Sequence, residues 1–258
     1  MEMQYSPKIF CNFRHFRLAK NTIEYSALLY VIVFASIFII SNNHIIISKK
    51  NVPELFLIIG MIVSYIDVLT YPILTVGIPL IYMFLMNEDW NKRINEEIRH
   101  IFTVSISWIC GYGGMWVGKW IIASIILKRN TIKEAILMAL YRMSQTSGES
   151  GKIVEFTVKD VFVRNFSVYG HPPYIFALIF FLAYLLFMIC RQGFYFNLKR
   201  TLPLLIIALM PIVWYLVVGN HSYIHYWMTH RNIVLTVFAS CCIAIGLIKE
   251  KTKFETNL

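Results

Sequence analysis

The sequence predicts an all-α fold, a polytopic bundle of transmembrane helices with about six crossings and short interfacial helices. Of the 258 residues, 58% are hydrophobic and only 15% are charged, whereas soluble domains average about 25% charged residues. The apolar residues also form long blocks, at 27–40, 174–190, 202–219 and 233–248, and a helix needs about 20 of them to cross the hydrocarbon layer. We therefore predict a single transmembrane domain over residues 1–258.

The formal net charge of +10 does not indicate a nucleic-acid partner. The 24 Lys and Arg residues flank the apolar blocks, which is their usual position in membrane proteins, where they set topology and contact anionic headgroups. The five cysteines form no CxxC pair, and none lies in the long polar stretch 128–172. We therefore predict no disulfide framework, no metal site and no cofactor.

The N-terminal region is predicted to approach the membrane before it crosses. Residues 1–22 mix phenylalanines with basic residues, which predicts a cytosolic segment lying on the membrane surface. No A-x-A-like cleavage site follows the first apolar block, so we predict a retained anchor helix over 23–41. The next apolar stretch is interrupted by Asp67 and two prolines. We predict an interfacial or re-entrant segment at 53–69 and the second crossing at 70–87, with a two-helix hairpin as the alternative.

The remaining elements follow from periodicity and from block length. Residues 88–100 predict a short amphipathic helix, because apolar side chains recur at helical spacing, and residues 101–127 predict the third crossing. The polar stretch 128–172 is predicted to be an outer loop that opens with a capping box at 131–134 and an interfacial helix. The last three crossings are predicted at 173–190, 202–218 and 232–248.

The distribution of Lys and Arg predicts the orientation. With one crossing in 54–86, 13 basic residues lie on the side of the two termini and 10 on the other, whereas a hairpin would change these counts to 11 and 12. The single-crossing topology places both termini in the cytosol of a cell whose plasma membrane holds the protein. It gathers Asp67, the long polar loop and the histidine-rich segment 219–231 on the outer face. Two N-x-S strings, at Asn165 and Asn220, spell glycosylation acceptors if the protein enters a eukaryotic secretory pathway.

Two ionisable residues are predicted at membrane depth, where charged side chains are costly and usually functional. Asp67 is either an acid/base group or a structural cap, since a helix N-terminus favours a carboxylate. Lys119 is accompanied by Gly114 and Gly118, whose G-x-x-x-G spacing is typical of close helix packing. The alternatives for Lys119 are snorkelling to the interface, an ion pair with Asp67, and anion binding.

The segment 219–231, which we call the His loop, gathers three histidines, one arginine and three aromatic residues into thirteen positions. His221 and His225 share a helix face, as metal ligands do, but no neighbouring carboxylate completes a metal site. Arg231 with histidine donors suits a phosphate or diphosphate. The alternative is an aromatic belt at the headgroup level, to which Trp227 would belong.

Three strings carry a resemblance: DVLTYPILTVGIP at 67–79, GYGGMWVGKW at 111–120 and NHSYIHYWMTHR at 220–231. Together they resemble uncharacterised bacterial polytopic proteins, which in turn look similar to the C-terminal part of GT-C-type glycosyltransferases. Those enzymes take sugars from polyprenyl-linked donors on the outer face of the membrane. The resemblance spans roughly 42–248.

One departure from the GT-C pattern concerns the catalytic acid. That family carries an acidic motif in its first outer loop, whereas residues 41–51 of this chain contain no carboxylate, and GT-C enzymes have more crossings. The resemblance therefore implies either that Asp67 has taken the catalytic role or that the chain is a truncated or partner half.

Taken together, these features predict a membrane-embedded transferase, or part of one, acting on a lipid-linked glycosyl substrate at the outer face. Asp67 would be the acid/base group, and the residues holding the phosphate and the lipid or sugar would be Lys119, His221, His225, Arg231 and Trp227. The predicted partners are membrane lipids, a polyprenyl-phosphate-linked sugar and a second membrane subunit. The competing hypothesis is a non-enzymatic membrane protein, either a transporter subunit or an assembly scaffold, with Asp67 and Lys119 beside a broken helix.

Overall fold

A computed structural model describes residues 26–42, 51–67, 69–86, 94–149 and 152–248. Within these ranges the all-α prediction is confirmed, and the only sheet there is one antiparallel pair of short strands. The predicted surface segment 1–22 lies outside the described residues.

The first half of the described chain contains helices α1 Ser26–Ser41, α2 Val52–Ile66, α3 Leu74–Met86, α4 Ile94–Leu127 and α5 Thr131–Met143. A small α/β unit follows, with strands β1 Thr146–Glu149 and β2 Lys152–Glu155 and helix α6 Val158–Ser167. The remaining helices are α7 Pro172–Gln192, α8 Leu198–Val217, α9 Gly219–Ile224, α10 Tyr226–Thr229 and α11 Ile233–Gly246. Single 3-10 turns at Val168–Gly170 and His230–Asn232 precede α7 and α11.

Four of the described helical stretches are long and apolar enough to cross a membrane, namely Ile94–Leu127, Pro172–Gln192, Leu198–Val217 and Tyr226–Gly246. Helices α1, α2 and α3 are also apolar but have 10–17 residues. Helix α7 buries none of its residues against the protein, so its apolar side chains need lipid around them. The chain is a membrane-embedded, multi-pass helical protein.

Helices α2 and α4 approach each other so closely that only glycine fits at the crossing. A Cβ added at Gly60 would lie 2.2 Å from the carbonyl oxygen of Trp108, and one added at Gly111 would lie 2.0 Å from that of Leu57. Both neighbours are backbone atoms, which cannot move aside as a side chain can. The two glycines therefore determine how closely α2 packs on α4.

Helices α2 and α3 form an antiparallel hairpin. Beyond the glycine crossing, Lys119 Nζ of α4 donates to the carbonyl of Ser64 at 2.7 Å, so α2 runs in the same direction as α4. Helix α3 begins level with Trp108, whose Nε1 donates to Thr75 Oγ1 at 3.1 Å. It runs in the same direction as α11, since a Cβ added at Gly77 would meet Leu235 and the Tyr82 ring lies 5.9 Å from that of Phe238. Helix α11 begins where α2 ends, because Asn232 donates to the Thr70 carbonyl, so α3 leads back toward the start of α4. Residues 67–73, which we call the Asp67 turn, connect the two helices.

This hairpin corrects the boundaries predicted for the stretch, which divided it into an interfacial or re-entrant segment at 53–69 and a crossing at 70–87. The first helix ends at Ile66 and the second begins at Leu74. Helix α3 does not begin at residue 70, because Tyr71 precedes Pro72 and the residue before a proline is disfavoured from the helical conformation. As in the hairpin alternative, the structure has two separate helices in this stretch.

Helix α4 is continuous over 34 residues, or about 51 Å at 1.5 Å per residue. The short helix predicted at 88–100 is wrong as a separate element, since its described part, from Ile94, is the start of α4. Residues 94–127 contain no proline, and one buried face continues through Glu97, Ile101 and Val104 across the predicted boundary.

The segment predicted as a polar loop folds into α5, the strand pair and α6. Helix α5 is capped by Asn130, whose Oδ1 accepts from the Lys133 backbone N–H at 3.1 Å. The capping box predicted at 131–134 is therefore wrong: the N-cap lies one residue earlier, at Asn130, which is the stronger local cap. A complete capping box occurs at α6, where Thr157 and Asp160 each bond to the other's backbone N–H.

Helices α8 and α11 are antiparallel neighbours and, with α1 to α4, enclose the main apolar core. Tyr215 donates its hydroxyl to the Thr229 carbonyl at 2.8 Å near one end of the pair. Nearer the middle, Thr236 donates its hydroxyl to the Ala208 carbonyl at 2.7 Å. The His loop follows α8 at the same end of the bundle as the Asp67 turn.

Candidate functional site

The Asp67 turn is held by its own carboxylate. Asp67 is 6% exposed, and its Oδ1 accepts hydrogen bonds from the Thr70 backbone N–H at 2.9 Å and from the Thr70 hydroxyl. Leu69 has a φ of 61°, which is uncommon for a residue with a side chain. Through Oδ1, Asp67 caps this turn, and the backbone next to it is strained.

His221 connects this turn to helix α5. Its Nε2–H donates to the Leu69 carbonyl at 2.9 Å, and its Nδ1 lies 3.1 Å from Arg142 Nη1. A carbonyl only accepts and a guanidinium only donates. The ring is therefore the neutral tautomer with its proton on Nε2, and Arg142 donates to Nδ1.

The environment of His221 keeps the ring neutral. Burial lowers the pKa of His221 to about 4, with smaller contributions in the same direction from His225 and Arg142, against a rise from the hydrogen bond to Leu69. His221 is 4% exposed. Since both of its nitrogens are engaged, it positions Arg142 and the Asp67 turn and does not itself present a proton to a ligand.

His225 lies beside His221 and is more accessible. The two ring centroids are 4.6 Å apart, and burial followed by the charge of Arg142 lowers the pKa of His225. Trp227 is 47% exposed, with its ring 6.4 Å from that of His225. His225 is thus a neutral, half-buried base at the edge of the site, and Trp227 forms its outer margin.

Arg231 reaches the Asp67 turn from the other end of the His loop. Its guanidinium carbon lies 5.5 Å from the centre of the Tyr71 ring, and Tyr71 is within electrostatic range of both Arg231 and Asp67. Next to it, Asn232 Nδ2 donates to the carbonyls of Thr229 at 3.1 Å and of Thr70 at 3.4 Å. The Asp67 turn therefore contacts both ends of the His loop, through His221 at one end and through Arg231 and the adjacent Asn232 at the other.

Lys119 occupies a different surface of α2. Its Nζ donates to the Ser64 carbonyl, one helical turn before Asp67, and lies 4.4 Å from the centre of the Tyr65 ring. Tyr65 is 71% exposed. The contact is a cation–π interaction on the lipid-facing side of the hairpin, so Lys119 sits at the margin of the cluster and its long stem reaches along the helix surface.

A buried hydrogen-bond network supports the His loop from beneath. Thr229 Oγ1 donates to Asn165 Oδ1 at 2.8 Å, and Asn165 Nδ2 donates to the carbonyls of Ser222 at 3.0 Å and Val161 at 2.9 Å. Asn165 and Thr229 are both completely buried. Fully paired polar groups in such a setting restrict the conformation of the loop.

Helix α6 and the strand pair cover one side of the loop. Tyr223 lies between Phe156, whose ring stacks on it with centroids 4.1 Å apart, and Arg164, whose guanidinium lies 4.0 Å from its centre. Arg164 Nη1 also donates to the Tyr223 carbonyl at 3.2 Å. Asn220 donates to the Thr146 carbonyl of β1. The small α/β unit thus holds the loop in place.

The structure brings together Asp67, His221, His225 and Arg231, and places Lys119 and Trp227 at the edges. Two residues of the cluster were not predicted from the sequence: Arg142, and Tyr112, whose phenol is within electrostatic range of both Asp67 and Arg142. Arg142 is the basic residue in the last turn of an apolar amphipathic helix. Its place in that last turn is the one sequence feature that could have predicted a role for Arg142.

Neither N-x-S string is accessible in the fold. Asn165 is 0% exposed and Asn220 is 2% exposed, and both side-chain amides donate to backbone carbonyls. Their amides serve the packing of the His loop. Within the described part of the chain, no group of three His, Cys, Asp or Glu side chains is placed to hold a metal ion.

The fold and this cluster define a multi-pass membrane protein with a cation-rich polar site at one end of its helix bundle. Three arginines from separate elements contact the site: Arg142 of α5, Arg164 of α6 and Arg231 of the 3-10 turn. No protein-family model, no curated protein and no solved structure matches the chain.

Proposed function

We propose that the protein is a membrane-embedded transferase, or a subunit of one, which acts on a lipid-linked glycosyl substrate at the outer face of the membrane. The observation that carries the proposal is the convergence of Arg142, Arg231 and two histidines on the Asp67 turn. A polar site at one end of a membrane bundle admits a substrate whose headgroup lies at the interface while its chain stays in lipid.

In this proposal the arginines hold the phosphate linkage of the donor. Guanidinium groups form strong, bidentate, charge-assisted hydrogen bonds to phosphate oxygens. Arg142 is oriented by His221, and Arg231 approaches from the opposite end of the His loop. As the sugar leaves, negative charge grows on the lipid phosphate, and fixed cations stabilise it there.

Asp67 is the proposed general base. The acceptor hydroxyl loses its proton to the carboxylate as its oxygen forms the new bond to the anomeric carbon, and the bond from that carbon to the lipid phosphate oxygen breaks with its electron pair. His225, neutral and half-buried, is the alternative proton acceptor. Trp227 would pack on the lipid or the sugar.

The test separates binding from turnover in the purified full-length protein. Binding of farnesyl diphosphate, a short polyprenyl probe, is measured in detergent for the native protein and for Arg142→Gln, Arg231→Gln and Asp67→Asn. We expect each arginine variant to bind about tenfold more weakly or worse, since a hydrogen bond to a charged group contributes about 1.5–3 kcal/mol. Asp67→Asn should bind at least as tightly, because it removes a negative charge near the phosphate.

Turnover is then measured as sugar transfer from polyprenyl-diphosphate-linked N-acetylglucosamine in membranes containing each variant. Asp67→Asn should lose about 100-fold or more, the usual contribution of a general base. Lys133→Gln is the matched control, because Lys133 is an exposed cation on the same helix as Arg142. If the probe binds Arg142→Gln, Arg231→Gln and the native protein equally, the proposed phosphate site is wrong.

A specific observation favours one competing function. Asp67 lies in a break between two half-length helices, of 15 and 13 residues, and transporters build ion sites at such breaks. A transporter would take up a solute into sealed vesicles. This uptake would depend on a proton or sodium gradient and would be lost in Asp67→Asn. Gradient-dependent uptake without sugar transfer would replace the transferase proposal.

A further inference from the structure

A cavity lies at the opposite end of the bundle from the His loop. It has a volume of about 540 Å³, and Arg200, Gly246, Met188 and Tyr195 are among its lining residues. Helix α8 begins at this cavity and ends at the His loop, and its 20 residues correspond to about 30 Å. The cavity therefore belongs to a different site from the one described above, and its volume is typical of small-ligand sites.

The cavity exists because α7 stands apart from its neighbours. Helix α7 buries no residue, and it supplies one wall, while α8 and α11 supply the other. The link between α7 and α8 closes the end, where the Tyr195 backbone N–H donates to the Leu247 carbonyl at 2.8 Å. The lining is mostly apolar, with Met188, Ile245 and Ile248 facing the space between helices that lipid surrounds.

Arg200 is the cation of this cavity. Its side chain lies over Gly246, where an added Cβ would be 3.6 Å from Nε and 3.9 Å from Cζ. Arg200 is half-buried, and among the described residues no carboxylate forms an ion pair with it. It also lies in the first turn of α8, capped by Asn197, where the helix dipole adds positive potential.

We propose that this cavity binds one anionic phospholipid, with its phosphate on Arg200 and an acyl chain along the apolar wall between α7 and α11. A guanidinium at a helix N-terminus supplies hydrogen bonds and charge for the phosphate. Basic pockets between transmembrane helices at the membrane surface are suited to such headgroups. This site is independent of the proposed transferase activity.

Native mass spectrometry of the detergent-purified full-length protein tests the proposal, with dioleoylphosphatidylglycerol and dioleoylphosphatidylcholine as competing probes. We expect one phosphatidylglycerol to be retained in preference to phosphatidylcholine. Arg200→Gln should weaken its binding about tenfold or more, since it removes charge-assisted hydrogen bonds. Lys199→Gln is the matched control, because Lys199 is exposed, carries the same charge and does not line the cavity.

A second variant keeps the charge and fills the space. Gly246→Leu retains Arg200 but places an isobutyl group in the cavity, so it should also lose the lipid, and it tests the site even if Arg200→Gln fails to fold. Equal weakening by Arg200→Gln and Lys199→Gln would mean a diffuse surface charge and overturn the proposal. Displacement of the lipid by millimolar inorganic phosphate would mean a free-anion site and overturn it as well.

Discussion

At the scale of single residues, the two hydrogen bonds of the His221 ring are the most informative contacts. The ring donates to a backbone carbonyl on one side and accepts from Arg142 on the other, so its tautomer is determined by its partners. Such a histidine orients a neighbouring cation in the way that outer-shell groups orient the ligands of a metal site. In the proposed transferase, proton transfer is therefore assigned to Asp67 or His225.

The lowered pKa of His221 predicts a pH-dependent stability. The unfolded chain has a histidine pKa of 6.5 and the folded ring one of about 4, so the unfolded state binds the proton first as the pH falls. Stability is fully present above pH 6.5 and is lost between that pH and pH 4, by up to about 3 kcal/mol from this residue. His225, whose pKa is also lowered, acts in the same direction.

Thermal unfolding of the detergent-purified protein between pH 8 and pH 4.5 measures this effect. His221→Gln keeps an amide donor and acceptor but has no proton to gain, so its unfolding temperature should fall less steeply over that range. His171→Gln, at an exposed histidine, should leave the slope unchanged. Identical slopes in His221→Gln and the native protein would show that His221 is not buried in its neutral form.

At the scale of the elements, the pairing of α2 with α4 depends on two glycines that the G-x-x-x-G pattern did not identify. That pattern pointed to Gly114 and Gly118, but no described residue lies within 4 Å of a Cβ built at either. The close approach occurs at Gly111, one turn earlier, against Gly60 of α2. Spacing alone indicates a flat helix face and does not indicate which part of it another helix contacts.

Substitution of these glycines tests the helix pairing. Gly60→Ala and Gly111→Ala each place a methyl group within about 2 Å of a backbone oxygen, so the helices must separate, and we expect a loss of about 1–3 kcal/mol or more. Gly114→Ala is the matched control: it meets no described atom and should be neutral or stabilising by about 0.5–1 kcal/mol, because alanine favours the helix. Unfolding in a denaturing detergent measures the differences.

At the scale of the whole molecule, the hairpin changes what the charge distribution implies. The prediction of cytosolic termini used one crossing in 54–86 and counted 13 basic residues against 10. Two antiparallel helices there, if both cross, alter the counts to 11 and 12, which no longer favour either orientation. Which end of the bundle faces outward then requires a direct measurement.

Cysteine accessibility provides that measurement. Single cysteines replace Asn51, Glu155 and Lys199, all exposed, in a chain whose five natural cysteines are removed, and intact cells are treated with an impermeant maleimide. The hairpin predicts that positions 51 and 199 label from the same side and position 155 from the other. Labelling of 155 without permeabilisation would support an outer-face site. Labelling of 51 together with 155 would mean that the stretch crosses once and the hairpin is wrong.

Local chemistry explains which predictions succeeded. Block length predicted the transmembrane class, and Asp67 with the two prolines predicted a break in the second apolar stretch, although the helix expected from residue 70 begins only at Leu74. The cap of α5 was predicted one residue late, because both Asn130 and Thr131 can cap a helix. Asn130 is the stronger cap, and Thr131 instead donates to the Trp120 carbonyl at 3.0 Å. The break predicted before residue 101 was wrong, because an amphipathic start can continue into a long helix when one buried face runs through both.

The sequence by itself determined that this chain is a helical bundle embedded in a membrane, since long uncharged stretches have no other stable environment. It also marked Asp67 and the His loop as its unusual polar features. Only the tertiary structure decided that these segments meet. Leu69 and His221 are 152 positions apart and Arg142 and His221 are 79 apart, and contacts over such separations depend on helix packing geometry that no local pattern encodes.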